Sequence, residues 1–145
     1  MSVFPEFHQY DGLGLAELVR KKAVTPLELV EEVISRIEAY NPKINAVIYK
    51  MYARARESAK GELPEGSFTG VPFLFKDALD TLEGEPTSSG TQILRNVPQP
   101  HDSETVHRFR AAGLIFLGKT NLSELCLLPY TEPQAFGPTR NPAES

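Results

Sequence analysis

Apolar residues recur at intervals of three and four through Leu27, Val30, Ile34 and Ile37, which lays one hydrophobic stripe along a helix. Its start is written just upstream. Thr25 as cap, Pro26 at the first helical position and Glu28 three residues after the cap make a capping box. Tyr40-Asn41-Pro42 is expected to stop this helix, since proline lacks the amide donor of a further turn. A shorter amphipathic segment, Leu15 to Lys22, precedes it, and the two predict an α-helical N-terminal lobe. Ile44 to Tyr49 suits a short extended piece and Met51 to Lys60 another helix, before Gly61 to Gly66 breaks the pattern.

The periodicity then changes. Val71 to Phe75 is a continuous apolar run between Gly70-Val71-Pro72 and Lys76-Asp77, as expected of a strand buried on both faces. Asp80 to Thr91 is a polar, turn-rich loop of the kind that carries sites on a rigid sheet. Asp102 to Ala112 reads as a helix, capped by Asp102 or Ser103 and ended by Gly113. Leu114 to Leu117 gives a second buried strand, which leads through Gly118-Lys119-Thr120-Asn121 into another short helix. Strand, helix, strand in this order predicts a parallel crossover, with the two apolar runs as neighbouring central strands of an α/β sheet covered by helices.

Composition narrows the field. A chain of 145 residues, 41% hydrophobic and 23% charged, suits one compact domain with a core. The net charge of −4 and the shortness of Arg20-Lys21-Lys22 and Arg54-Ala55-Arg56 give no nucleic-acid footprint. No apolar run approaches the roughly 18 residues of a membrane span, and Met1-Ser2-Val3-Phe4-Pro5-Glu6 lacks the layout of a leader, so a soluble cytoplasmic protein with no membrane partner is expected. The single cysteine, Cys126, rules out an internal disulfide and a cysteine-based zinc site, and is expected to be a small core residue. His8, His101 and His107 form no ligand pattern, so no metal or other cofactor is implied.

The most pointed chemistry lies at Lys76, at the end of an apolar run. A lysine in water titrates near ~10.4, and burial in apolar surroundings can bring the amine to roughly 7–8, where it serves as a general base. The plain alternative is a strand-end lysine that leaves for water or pairs with Asp77 or Asp80. Ser88 and Ser89 could serve as a nucleophile for it, although Ser-Ser-Gly is commonly hydrogen-bonded loop chemistry. Gly118-Lys119-Thr120 lacks the earlier glycine-rich turn of a phosphate loop and reads as a strand-end junction.

An ordered series of motifs weighs between these readings. It comprises Asn41-Pro42-x-Ile44-Asn45-Ala46, Gly70-Val71-Pro72-x-x-x-Lys76-Asp77, Ser88-Ser89-Gly90-Thr91, Asp102-Ser103-x-Thr105-Val106 and Arg110-Ala111-Ala112-Gly113. Leu117-Gly118-Lys119-Thr120-Asn121-x-x-Glu124, Thr131-Glu132-Pro133 and Phe136-Gly137-Pro138-Thr139-Arg140-Asn141-Pro142 complete it. Over about residues 13–142 the chain resembles the amidase signature family, serine hydrolases of carboxamides with a Ser-cisSer-Lys triad. It is most similar to bacterial members of the 6-aminohexanoate cyclic-dimer hydrolase type. The resemblance implies the N-terminal part of the amidase signature fold, in which a helical lobe precedes strands of a mixed sheet covered by helices.

The resemblance also maps the family's catalytic lysine onto Lys76 and implies a small-molecule amide substrate for the complete enzyme. The Gly-Gly-Ser-Ser-Gly-Gly-Ser signature, which supplies the cis-serine and precedes the nucleophile and the oxyanion hole, does not occur before the chain ends at Ala143-Glu144-Ser145. Residues 1–145 are therefore expected to be the N-terminal portion of a single amidase domain, truncated before that signature and inactive alone. Core surface left uncovered would favour a homodimer or aggregation. The alternative is a short non-catalytic protein derived from an amidase and kept for binding or assembly.

Overall fold

The computed structural model describes residues 4–144. The element order is α1 (Gly12–Arg20), α2 (Pro26–Ile44), β1 (Val47–Lys50), α3 (Tyr52–Lys60), β2 (Pro72–Lys76), α4 (Glu104–Ala111) and β3 (Ile115–Thr120). Short 3-10 turns occupy Pro5–Gln9, Glu124–Cys126 and Pro142–Glu144. No helix among the described residues is long and apolar enough to cross a membrane.

The three strands form one sheet in the order β1-β3-β2. β1 pairs antiparallel with β3, Tyr49 opposite Lys119 and Lys50 opposite Gly118, with an irregularity between Val47 and Tyr49. β2 runs parallel to β3. The Ile115 amide donates to Val71 O at the start of both, and the Asp77 amide donates to Thr120 O at their end. The crossover through α4 is thus the expected one, but only β3 is central. Ile115 to Lys119 are all buried, whereas Pro72, Phe73 and Leu74 on the edge strand are half-buried. The expectation of burial on both faces of Val71 to Phe75 is corrected accordingly for residues 4–144, because what packs over the two faces covers Val71 and Phe75 and leaves Pro72 to Leu74 partly open.

The chain divides into two compact units. The first takes the residues up to Ala39, Met51–Phe73 and Arg108–Leu117. Its core packs Leu15 and Ala16 of α1, Val24, Leu29 of α2 and Val71, with Phe68 and Leu114 against them. α1 begins earlier than Leu15 because Asp11 caps it, its carboxylate accepting from the Gly14 amide at 2.7 Å. The capping box at α2 forms as expected: the Glu28 amide donates to Thr25 Oγ1 at 3.2 Å, and the Thr25 amide to the Glu28 carboxylate at 2.7 Å. Gly113 ends α4 in the left-handed region, where an added Cβ would stand 2.5 Å from Thr69 Cα.

The second unit takes Tyr40–Lys50, Leu74–His107 and the residues from Gly118 onward. Here the helix stop at Tyr40-Asn41-Pro42 is corrected, since α2 runs through Pro42 to Ile44. Asn41 explains the overshoot. Its side chain accepts from the Ala46 and Val47 amides at 2.8 and 2.7 Å and donates to Val47 O at 2.8 Å, closing the helix-to-strand turn from inside the last turn. The chain leaves the helix at Asn45, with φ 52°. Ser103 caps α4, accepting from the Val106 amide, while Asp102 accepts from the Glu83 amide across the loop. The short helix expected after Asn121 is a single 3-10 turn, with Leu125 and Cys126 at φ 53° and 60°. That left-handed turn faces Cys126 to solvent, so its expected place in the core is corrected.

Candidate active site

Lys76 is the last residue of β2, and side chains alternate across a strand. Phe75 and Asp77, 1% and 3% exposed, point into the protein, while Lys76 is exposed. Among the described residues no hydrogen bond or ion pair engages its ammonium. In residues 4–144 the lysine therefore stands in water, as the plain strand-end reading expected, and neither Asp77 nor Asp80 pairs with it.

Asp77 is committed elsewhere. Its carboxylate accepts from the Ser88 amide at 3.2 Å to each oxygen and from the Ser88 hydroxyl, and it lies 3.8 Å from Lys119 Nζ. Ser88, 2% exposed, is held in turn by the Gly90 amide, which donates to its Oγ at 3.0 Å. The Ser89 amide donates to Asp77 O at 3.0 Å, and Ser89 O accepts from the Leu125 amide. With its hydroxyl donated to a buried carboxylate, Ser88 shapes the loop and is not poised as a nucleophile for Lys76.

Lys119, on the central strand, is fully buried. Its ammonium donates to Pro86 O at 2.5 Å and Thr87 Oγ1 at 2.8 Å. Burial pushes the Asp77 carboxyl above its ordinary range, against the opposing pull of the Ser88 hydrogen bonds and the Lys119 charge. Burial likewise pushes Lys119 down, opposed by Asp77 and, more weakly, by Glu85 and Asp80. Sequence reasoning treated Lys119 as a junction residue. No alternation along the strand could have marked it, since Ile115 to Lys119 are all buried; pairing with Tyr49 on β1 sets Lys119 inside the sheet, where a charge must find partners.

A cavity of about 160 Å³ opens beside this network, lined by Ile48, Tyr49, Asp77, Pro86, Ser88 and Phe136 among others. Tyr49 donates to Glu85 at 2.6 Å on its wall. No group of three or more His, Cys, Asp or Glu among the described residues could hold a metal ion.

Comparison with known proteins identifies the family. The Amidase family model matches residues 28–145. The 6-aminohexanoate-cyclic-dimer hydrolase of Paenarthrobacter ureafaciens is 41% identical over 134 residues, 91% of this chain and 27% of that protein. The solved structure of 6-aminohexanoate cyclic dimer hydrolase superposes with a TM-score of 0.86 at 40% identity, over 92% of this chain and 28% of that one. That of a bacterial aryl acylamidase of the amidase signature enzymes superposes with a TM-score of 0.83 at 34% identity, over 92% of this chain and 29% of that one. The chain belongs to the Amidase family, and its mixed helix-and-sheet fold matches the N-terminal part of such structures. It spans little more than a quarter of the length of these relatives.

Proposed function

We propose that residues 1–145 are the lysine-bearing N-terminal portion of one amidase domain, in which Lys76 is the general base of a Ser-cisSer-Lys site acting on a small linear or cyclic carboxamide. The observation that carries this reading is the position of Lys76: it is free and outward-facing at the end of β2, at the family's motif position, beside an acid already taken by another lysine. In the proposed reaction the nucleophilic serine, from outside these residues, passes its proton through the cis-serine to the neutral amine while its oxygen attacks the amide carbonyl. The proton returns to the departing amine as the carbon–nitrogen bond breaks. Water then hydrolyses the acyl-enzyme and regenerates the serine.

A lysine acts as a base only in its neutral form, which burial favours and water does not. Residues 1–145 alone are therefore expected to be inactive, lacking the serines, the oxyanion donors and the cover over Lys76. The test is a pair of assays against p-nitroanilides, aliphatic amides and cyclic lactam dimers. The 145-residue chain should show no turnover. A hybrid hydrolase, in which residues 28–142 replace the matched stretch of the 6-aminohexanoate-cyclic-dimer hydrolase, should turn over and lose its rate by orders of magnitude on Lys76→Ala. Near-normal turnover in that variant would refute the assignment, and turnover by the 145-residue chain that vanishes on replacing Ser88 or Ser89 would revive the substitute nucleophile.

A further inference from the structure

Resting on the reading of Lys76 as the base, we infer that Asp77 and Lys119 are its positioning residues: their sealed pair clamps the end of β2 to the Pro86–Gly90 loop and so fixes where the lysine stands. Lys119 cannot reach substrate, and Asp77, though it borders the cavity of about 160 Å³, has its carboxylate oxygens taken by Ser88 and Lys119. Lys119 is fully buried and Asp77 is 3% exposed. Each acts through the backbone it holds.

The clamp has two jaws. Asp77 grips the loop through its carboxylate, which binds the Ser88 amide and hydroxyl, and through its carbonyl, which accepts from the Ser89 amide. Lys119 reaches from the neighbouring strand to the same loop one and two residues earlier, at Thr87 Oγ1 and Pro86 O. The Asp77 amide meanwhile donates to Thr120 O, tying the carboxylate's own backbone to the strand that carries Lys119. Loop, edge strand and central strand therefore close on each other at the residue that follows Lys76.

Two further observations favour a geometric role over a merely stabilising one. Ser89 is held at φ 50°, a left-handed conformation that non-glycine residues adopt only when their surroundings over-determine it. A buried ion pair also adds little stability over apolar residues of the same size, so its presence beside the base is better accounted for by the geometry it fixes.

The test uses the double variant D77N/K119M, which removes both charges and leaves no unpaired one. In the 145-residue chain, amide hydrogen exchange at Ser88, Ser89 and Gly90 should quicken at least about tenfold, with Ile115 unchanged. In the hybrid hydrolase, kcat should fall about a hundredfold with KM within about threefold, the scale of an ångström's misplacement of a catalytic group. Ser88→Ala, which deletes one donor and no charge, is the milder variant and is read in the same two ways. Unchanged exchange at Ser88–Gly90 would overturn the clamp whatever the hybrid does. Quickened exchange with kcat undiminished in an active hybrid would overturn the positioning role. A hybrid that is inactive, or indifferent to Lys76→Ala, would count against the base itself, and the exchange result would still decide the clamp.

Discussion

Replacing Lys119 with methionine keeps a long side chain in the central strand but deletes the ammonium. The structure sets what is lost: the donors to Pro86 O and Thr87 Oγ1, and the cation 3.8 Å from Asp77 Oδ1. Hydrogen bonds from a charged donor are worth about 1.5–3 kcal/mol each, and the relief of no longer burying an ammonium offsets part of that. Removing one partner of a buried pair costs about 3–5 kcal/mol in net terms, a large share of the ~5–15 kcal/mol that holds a domain together. Removing both charges, as in D77N/K119M, should bring the protein back to within about 1 kcal/mol of the parent or above it.

The sign of the pH dependence follows from Asp77. Burial already raises its carboxyl, and without Lys119 only the Ser88 hydrogen bonds oppose that rise. The native variant then keeps a proton that the unfolded chain releases above the ordinary value of 3.8, so its stability falls as pH climbs through that window. The K119M deficit should be smaller near about pH 4 than near about pH 7. Urea unfolding followed by circular dichroism, for the parent, both single variants and the double variant at the two pH values, measures this. A K119M protein within about 1 kcal/mol of the parent at neutral pH, or a double variant no more stable than the singles, would refute the reasoning.

Other outcomes follow from local geometry. Thr25→Ala should cost about 1 kcal/mol, seen as a melting point a few degrees lower, because it removes the acceptor for the Glu28 amide. The Thr25 amide and hydroxyl hold the Glu28 carboxyl below its ordinary range, so the carboxylate half of the box, separate from the cap itself, is present above that range and lost as acid titrates through the depressed value, which a melting series across pH would show. Gly118→Ala should disrupt the sheet, since its Cβ would lie 2.3 Å from Tyr49 O on β1, whereas Gly84→Ala meets nothing within 4 Å. Gly84→Ala should cost only the roughly 1–2 kcal/mol of a left-handed residue, and equal losses by urea unfolding would contradict the packing argument. Burial and the 2.8 Å hydrogen bond to Glu38 push the Tyr52 phenol well above its ordinary value, so an alkaline ultraviolet titration should gain one early-ionising tyrosine on Glu38→Ala.

Local chemistry was legible where a single short stretch decides the outcome. The capping box at Thr25 to Glu28 and the glycine after Ala112 each act over a few residues, and both ends lie where those residues predict. Asn41-Pro42 misled because two effects compete there, and the side chain of Asn41 satisfies the Ala46 and Val47 amides just past the helix end. The Leu114 to Leu117 run marks a central strand and Val71 to Phe75 an edge, a difference set by strand order, which no run of residues encodes. Lys76 was placed at its strand end by the run before it. Its exposure, and the capture of Asp77 by a lysine 42 positions later, depend on β3 lying alongside β2. Cys126 sits among leucines, and only the left-handed turn at Leu125 reveals that it faces out.

Of the three strands among the described residues, the last in sequence stands in the middle. β1 and β2 are not neighbours, and each is paired only by β3, so during synthesis both must wait, unzipped, until Thr120 has left the ribosome. Nothing in the first hundred residues can close the sheet early, and the loops that closure must bridge are long. Until then the nascent chain carries two bare strands, with Phe73, Leu74 and Phe75 among them. A sheet assembled in that order leaves those apolar residues open to aggregation until β3 arrives.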